Sequence, residues 1–169
     1  LSVTWTCRID DVESFKKGGF KPEQIRAIEK AYTDAANKLL QHPNRTHRVS
    51  IGGRSFRVTQ KLMAAQLAVT FVQFNSRAGD AYAVTSGGEM DSIAVRRDPF
   101  RTFYSVRPYT TTLGDSARAA SPTQLRRTFL HEPIHGQPGE SIFRSLGTQW
   151  DSNHVDEYNR VAEEIDNSR

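Results

Sequence analysis

The chain contains a single cysteine, Cys7, among its 169 residues. One thiol forms no internal disulfide, and a zinc site rich in cysteines is excluded for the same reason. We expect Cys7 to be a partly buried small side chain without a catalytic function. No apolar run approaches the roughly 18 residues of a membrane helix, so we expect no membrane partner. The opening LSVTWTCRID lacks the basic leader and apolar stretch of a signal peptide, and we interpret the chain as an excised domain or a processed protein.

Long tracts of one charge are also missing. The chain has 23 Lys and Arg residues against 19 Asp and Glu residues, a formal net charge of +4. The basic residues occur singly or in isolated pairs, which is too sparse for a nucleic-acid-binding arm. We therefore expect no nucleic-acid partner. Hydrophobic residues make up 37% of the chain, enough for a core. The length suits one domain over residues 1–169.

The order of the predicted elements favours an α+β fold. FKPEQIRAIEKAYTDAANKLLQHP (20–43) repeats apolar residues at helical spacing and predicts a long helix. HRVSIGGRSFRVT (47–59) alternates around Gly52 and Gly53 and predicts a β-hairpin. QKLMAAQLAVTFVQFNSRAG (60–79) is interpreted as a second helix that stops at Gly79, although AVTFVQF alone also suits a strand.

Strand candidates dominate the middle of the chain. They are DAYAVTS (80–86), SIAVRR (92–97) and RTFYSVRP (101–108), and the following YTTTLGDSARAASP (109–122) is interpreted as a polar loop. Helical segments therefore flank a run of strands, as in α+β proteins.

The most informative motif is TFLHEPIHG, in which His131, Glu132 and His135 form the pattern H-E-x-x-H. Ser121 and Pro122 mark a helix start ahead of it, and Gln124 completes a capping box. Two histidines four residues apart on a helix are neighbours on one face and can share a Zn²⁺ ion at about 2.0–2.1 Å from each nitrogen. The pattern predicts a zinc site in which Glu132 is the general base that takes a proton from a metal-bound water.

Pro133 stands inside this motif. A proline donates no backbone hydrogen bond and crowds the preceding turn, so it weakens a helix interior by about 3 kcal/mol. Gly136 is a plausible C-terminal stop, which places Pro133 near the helix end. If the helix stops at Glu132, we expect the two histidines to lose their register and the site to fail.

A third ligand is expected from the segment WDSNHVDEYNRVAEEIDN (150–167). A third histidine six residues after His135 is excluded because Ser141 occupies that position. The segment predicts a helix whose apolar stripe includes His154, with Glu157 at its edge. We predict Glu157 as the ligand and keep His154, Asp156 and Asp151 as alternatives. Tyr158 is a candidate for polarising the scissile carbonyl, and core packing is the alternative role for this residue.

These features resemble the zincin metallopeptidases, and more narrowly the secreted effector zinc proteases of bacterial pathogens (the NleD-like type III effectors). TFLHEPIHG, GESIFRSLGT and DEYNRVAEE carry the resemblance, within residues 121–166. Proteins of this kind have a glutamate ligand followed four positions on by a valine, a relation that Glu157 and Val161 share, and Gly147-Thr148 precede them as in the family.

The resemblance implies a single zincin-like domain with a small β-sheet, a long N-terminal helix, an H-E-x-x-H active-site helix and a C-terminal helix with the third ligand. It also implies an effector or toxin that a bacterium secretes and delivers into a host or target cell, where the substrate is a protein. We expect a monomer that acts on a protein or peptide substrate. A chain without disulfides is compatible with work in a reducing cytosol.

Two other functions remain open at this stage. In the first, the protein is a non-catalytic interaction module, the histidines are structural, and the basic surface binds an acidic partner. In the second, it is a zinc hydrolase that acts on a bond other than a peptide bond, because the chemistry of the metal and its water is shared. A peptidase would use a strand edge, such as that of TFYSVRP (102–108), to bind an extended peptide.

Overall fold

The computed structural model describes residues 5–76, 83–87, 109–136 and 154–169, and the single positions 139, 142 and 145. The fold is α+β, as predicted. Its elements in chain order are α1 (Val12–Lys17), α2 (Pro22–Leu40), β1 (Thr46–Ile51), β2 (Arg54–Thr59), α3 (Gln60–Ala68), β3 (Thr70–Phe74), β4 (Ala83–Gly87), β5 (Tyr109–Leu113), a 3-10 helix (Asp115–Arg118), α4 (Pro122–His131), a 3-10 turn (Glu132–His135) and α5 (His154–Asn167). Among these helices, none combines the length and apolar character that a membrane span requires.

Helix α2 confirms the first helix prediction. Its predicted apolar face is buried, namely Ile25, Ile28, Tyr32, Ala35 and Leu39. The Tyr32 ring stacks on Phe129 of α4 with the ring centroids 5.0 Å apart. The Tyr32 hydroxyl donates to the carbonyl of Leu67, so this side chain also ties α2 to α3. Burying the apolar face of α2 against two other helices is therefore what stabilises this part of the core.

The β-hairpin is also confirmed. Strands β1 and β2 pair antiparallel, from Thr46 opposite Thr59 to Ile51 opposite Arg54. Gly52 and Gly53 form the turn with φ values of 53° and 76°, a conformation that favours glycine. The hairpin forms a separate two-stranded sheet that contacts α5 through β1.

The prediction of one long helix over residues 60–79 is wrong. Helix α3 ends at Ala68, and β3 begins at Thr70. The β-branched residues Thr70 and Val72 favour the extended conformation, and pairing with β5 decides the assignment. The strand alternative for this segment was therefore the correct one, while Gly79 lies outside the described residues.

The predicted polar loop at residue 109 is also wrong, because it begins with a strand. Strand β5 is the central strand of a three-stranded sheet with the order β3-β5-β4. It runs parallel to β3 and antiparallel to β4. Its run of threonines is polar in composition but β-branched, and Thr110 and Thr111 are buried. DAYAVTS contains β4, whereas SIAVRR and RTFYSVRP lie outside the described residues.

Helix α4 lies against both α2 and α5, and charged groups reinforce its contact with α5. The Asp166 carboxylate, whose side chain is only 3% exposed, accepts hydrogen bonds from Arg126 and from Arg127. Burial acts to raise the pKa of Asp166, but the hydrogen bonds from the two guanidinium groups outweigh it, and the net pKa is below the ordinary value. The pair of arginines therefore holds the C-terminal helix at a fixed position along α4.

We expect Asp166→Asn to lower the free energy of unfolding at pH 7 by about 2 kcal/mol, because two charge-assisted hydrogen bonds are weakened. A carboxyl group with a depressed pKa in the folded state adds stability above its unfolded pKa, about 3.9, and loses it as the pH falls further. The difference between parent and variant should therefore shrink below about pH 4. Urea unfolding at several pH values measures it. Glu163→Gln, which changes an exposed partner of Arg127, should stay within about 0.5 kcal/mol of the parent. A pH-independent loss in Asp166→Asn would contradict the electrostatic origin.

Candidate metal centre

Helix α4 begins where the sequence predicts it. Ser121 caps the helix, and its hydroxyl oxygen accepts the backbone N–H of Gln124 at 3.1 Å. Pro122 occupies the first helical position, where its missing N–H costs nothing. Leu125, Phe129 and Leu130 are buried. This packing fixes the rotation of α4 and brings His131, at its C-terminal end, to the side that faces α5.

Pro133 ends the α-helix but does not destroy the spacing of the histidines. Helix α4 stops at His131, and Glu132 to His135 continue as a 3-10 turn. Glu132 keeps helical dihedrals, φ −62° and ψ −38°, and its N–H still donates to the carbonyl of Thr128. The chain therefore continues with the same hand through the proline. The Nε2 atoms of His131 and His135 are 3.2 Å apart. The expectation that an early helix end would separate them is wrong, because the tighter turn brings His135 back to the same side.

Gly136 follows the last residue of this turn, where the sequence predicts the stop. Its φ is −72° and its ψ is −174°, so it does not adopt the left-handed conformation of a helix stop. A Cβ atom at this position would lie 1.5 Å from Oε1 of Gln66. Gln66 belongs to α3 and is 8% exposed. The Gln66 side chain of α3 therefore packs on the backbone of the turn that carries His135.

Three histidines from two separate segments converge beside α4. His131, His135 and His154 each place a ring nitrogen within 4.8 Å of the others. His154 is the first residue of α5. His131 and His154 are buried and His135 is partly exposed. Among the described residues, this is the only such group of three or more histidine, cysteine or acidic side chains. The three histidines are therefore close enough to hold a metal ion.

The spacing in this three-histidine cluster suits tetrahedral coordination after a small adjustment. Two nitrogens that each lie about 2.0–2.1 Å from one tetrahedral ion are about 3.4 Å apart. The His131 and His135 nitrogens, at 3.2 Å, already have nearly that separation. The ring centroid of His154 lies 5.3 Å from that of His135 and 6.2 Å from that of His131. Only a modest inward movement of the His154 ring would complete the set.

Tyr158 forms a wall of the cluster. Its ring centroid lies 5.4 Å from that of His131, 4.8 Å from that of His135 and 5.3 Å from that of His154. The residue is fully buried and sits one helical turn after His154 on α5. The structure therefore places the predicted catalytic Tyr158 against all three imidazoles. In this conformation its surface is covered by protein.

The structure does not bring the predicted ligand Glu157 into the cluster. The Glu157 carboxylate instead accepts the backbone N–H of Ser50 at 2.7 Å and a hydrogen bond from Arg160. The Arg160 side chain also donates to the carbonyl of Arg48, at 2.8 Å. Glu157 and Arg160 therefore bind the outer edge of β1. A helix rotates by about 100° per residue, so the face that carries His154 and Tyr158 points to α4 while Glu157 faces the hairpin.

Two further candidates for the third ligand were Asp156 and Asp151. Asp156 is exposed, and Asp151 lies outside the described residues.

The hydrogen bond from Arg160 holds the pKa of Glu157 below its ordinary value, with a smaller contribution from Ser50, and burial opposes both. This carboxylate is therefore charged and already paired near neutral pH. His154, which was an alternative in the sequence, is the residue that the structure brings to the pentad.

The surroundings of His135 favour its neutral imidazole. Burial, followed by the proximity of His131 and His154, lowers the pKa of His135 well below its ordinary value. A neutral imidazole has a nitrogen lone pair, which a metal ligand requires.

The Nδ1 atom of His131 lies 2.7 Å from the Oδ1 atom of Asn159. Sequence reasoning missed Asn159, because an asparagine on the exposed side of a helix carries no signal that separates it from other polar surface residues.

Glu132 is placed next to the cluster by its position in the chain. It follows His131 directly, at the first position of the 3-10 turn, and is 4% exposed. Buried carboxylates are almost always paired, and Glu132 makes contacts of its own in the structure. Its role as the general base stays a prediction.

Comparison with known proteins adds no assignment to this geometry: no family model matches the chain, and no curated protein or solved structure shows significant similarity to it. The class that the fold and the site define is therefore an α+β protein with a three-histidine cluster able to hold a metal ion.

Proposed function

We propose that this protein is a zinc-dependent endopeptidase in which His131, His135 and His154 hold the metal and Glu132 is the general base. The observation that carries the proposal is the convergence of three histidine nitrogens within 4.8 Å, two of them from an H-E-x-x-H pentad. Imidazole ligands suit zinc, copper, iron and nickel. Among these metals we favour zinc, because a glutamate directly after the first histidine is typical of zinc-dependent hydrolases.

The number of ligands favours a catalytic site over a structural one. Structural zinc sites are closed by four protein ligands, whereas catalytic sites have three and an open position. Within the part of the chain that the structure describes, the cluster supplies three ligands, of which His135 is partly exposed. Bound zinc would lower the pKa of a coordinated water to about 7. Glu132 would accept the proton and pass it to the leaving amine.

A sheet edge near the cluster offers a place for an extended peptide. Within the part of the chain that the structure describes, β4 pairs only with β5 and lies at an edge of the three-stranded sheet. Strand β4 also contacts the 3-10 turn that carries Glu132 and His135. A substrate that adds a strand to such an edge receives main-chain hydrogen bonds that are independent of its side chains. We propose β4 for this function, since TFYSVRP lies outside the described residues.

The biological setting rests on the resemblance to secreted effector proteases. It supports a protein substrate in a host or target cell and delivery by a bacterium. The pentad and the Gly147-Thr148 segment still carry this resemblance. The spacing of Glu157 and Val161 no longer supports the resemblance, because Glu157 binds the hairpin and is not placed as a metal ligand.

The proposal is tested by zinc content and by hydrolysis of a complex peptide mixture. The purified protein is dialysed against Zn²⁺, its metal content is measured, and it is incubated with peptides derived from a whole-cell extract. We expect about one zinc per chain and new peptide termini, detected by mass spectrometry, that disappear after zinc removal and return on its addition. Zinc binding without peptide cleavage would favour a hydrolase for another bond. Failure to bind zinc would favour the interaction module, with the histidines as structural residues.

Tyr158 gives a separate prediction. If its hydroxyl polarises the scissile carbonyl, Tyr158→Phe should lower kcat about 100-fold with little change in KM, because the interaction forms only in the transition state. Zinc content should be unchanged, since the ring that packs on the imidazoles is retained. The measurement is steady-state kinetics on a peptide from the mixture above. A kcat within about twofold of the parent would assign Tyr158 to packing alone.

A further inference from the structure

Asn159 makes a hydrogen bond with one imidazole of the three-histidine cluster. Its Oδ1 lies 2.7 Å from Nδ1 of His131. Asn159 is on α5, directly after Tyr158 and five residues after His154. Helix α5 thus carries His154 of the cluster, the Tyr158 ring that packs against it, and the Asn159 amide that contacts His131. The residue itself is exposed, so burial of its side chain does not explain its position.

We propose that Asn159 is a positioning residue that fixes the tautomer and orientation of His131. An amide oxygen only accepts hydrogen bonds, so the nitrogen that it contacts must carry the proton. His131 is then the Nδ1–H tautomer, and the lone pair of its Nε2 points toward the centre of the cluster. Ligating histidines commonly donate their second N–H to such an acceptor, which sets the ring orientation.

The same geometry assigns the proton on His135. With His131 in the Nδ1–H form, its Nε2 is an acceptor, and Nε2 of His135 lies 3.2 Å away. A hydrogen bond across this contact in the metal-free protein requires His135 to donate Nε2–H to His131. Metal binding through that nitrogen requires His135 to move its proton to Nδ1. His131 is preset for ligation, and His135 is the imidazole that changes tautomer.

The expected effect of Asn159 on zinc affinity rests on the proposed function. Its expected effect on the tautomer of His131 does not. Without the amide oxygen, His131 would sample both neutral tautomers and more ring orientations, so part of the binding free energy would be spent on selecting one. Loss of such an outer partner typically lowers metal affinity 10–100-fold. An aspartate in the same place retains the acceptor oxygen and should restore the effect.

The first experiment observes the tautomers directly in the metal-free protein. Nitrogen-15 NMR of the imidazole rings is recorded for the parent, Asn159→Ala, Asn159→Asp and the control Asn167→Ala. The control removes an exposed amide on the same helix that bonds Arg127 rather than a histidine. We expect the Nδ1–H form of His131 in the parent, the control and Asn159→Asp, and a mixture of tautomers in Asn159→Ala. A parent with His131 in the Nε2–H form, or an Asn159→Ala variant that retains the pure Nδ1–H form, would overturn the proposal.

The second experiment measures zinc affinity by competition with a chromophoric chelator. We expect Asn159→Ala to bind zinc 10–100-fold more weakly than the parent, with Asn159→Asp and Asn167→Ala within a few-fold of it. Equal affinities in all four proteins would overturn the effect of Asn159 on the metal. A protein with the expected tautomers and affinities but without peptide hydrolysis would refute the peptidase function and leave the role of Asn159 standing, so the two failures are distinguishable.

Discussion

Replacing His154 with alanine is expected to weaken zinc binding by more than about 100-fold, a larger loss than that typical of an outer partner. The mutation removes one of three converging nitrogens and leaves His131 and His135 as a two-ligand site. Glu157→Gln should retain zinc at about one ion per chain, because the Glu157 carboxylate bonds Ser50 and Arg160 rather than the cluster. The two positions lie within one turn of the same helix, so they form a matched pair.

Competition with a chelator and metal analysis after dialysis measure both variants. Thermal unfolding of the metal-free proteins serves as the control for folding. Glu157→Gln should lower the stability modestly, since a charge-assisted contact to the edge of β1 becomes a neutral one. The opposite pattern, zinc lost in Glu157→Gln and retained in His154→Ala, would restore the glutamate ligand predicted from the sequence and refute the three-histidine site.

Replacing Glu132 with glutamine is expected to lower kcat/KM for peptide hydrolysis by about 10²–10⁴-fold, the contribution of a positioned general base. Glutamine has nearly the same shape and remains buried at this position, where the parent residue is 4% exposed. It accepts no proton at neutral pH. Zinc affinity should stay close to that of the parent, because His131, His135 and His154 are untouched.

The comparison requires a variant that removes a glutamate elsewhere. Glu163→Gln changes an exposed carboxylate that pairs with Arg127, and its hydrolysis rate should match the parent. Both variants are assayed on the same peptide after zinc content has been equalised. Unchanged hydrolysis in Glu132→Gln would exclude this residue as the base. Loss of zinc together with activity would show that Glu132 supports the cluster rather than the proton transfer.

Local relations within the site could be predicted from the sequence. His131 and His135 are four residues apart in a segment with a clear helix start, so their proximity follows from helical geometry alone. Ser121 and Pro122 define that start and are found where the sequence places them. Pro133 left two outcomes open, because a proline excludes a continued α-helix but does not decide what replaces it. In the folded protein the 3-10 turn packs against another element, because Gln66 of α3 lies beside Gly136.

The third member of the cluster could not be read from the sequence. His154, Asp156 and Glu157 lie within one turn, so a small rotation of the helix would change which of them faces the pentad. Contacts from other elements set that rotation. Tyr158, Val161 and Ile165 are buried in the core, and Glu157 is held at the edge of β1. Periodicity gave the apolar face and included His154 in it, but the partner of Glu157 is 107 residues away in the chain.

The same division holds for the sheet. Strand β3 and the threonine-rich β5 have patterns that suit a helix end and a polar loop when each is considered alone. They become strands because they pair with each other in parallel, across more than thirty intervening residues, from Thr70 opposite Tyr109 to Phe74 opposite Leu113. By itself, the sequence determined the α+β class, the long helix α2, the hairpin and the His-Glu-His motif, since each depends on residues close together in the chain. Only the tertiary structure decided the third histidine, the role of Glu157, the contact of Asn159 and the strand pairing, because each of these requires distant segments to meet.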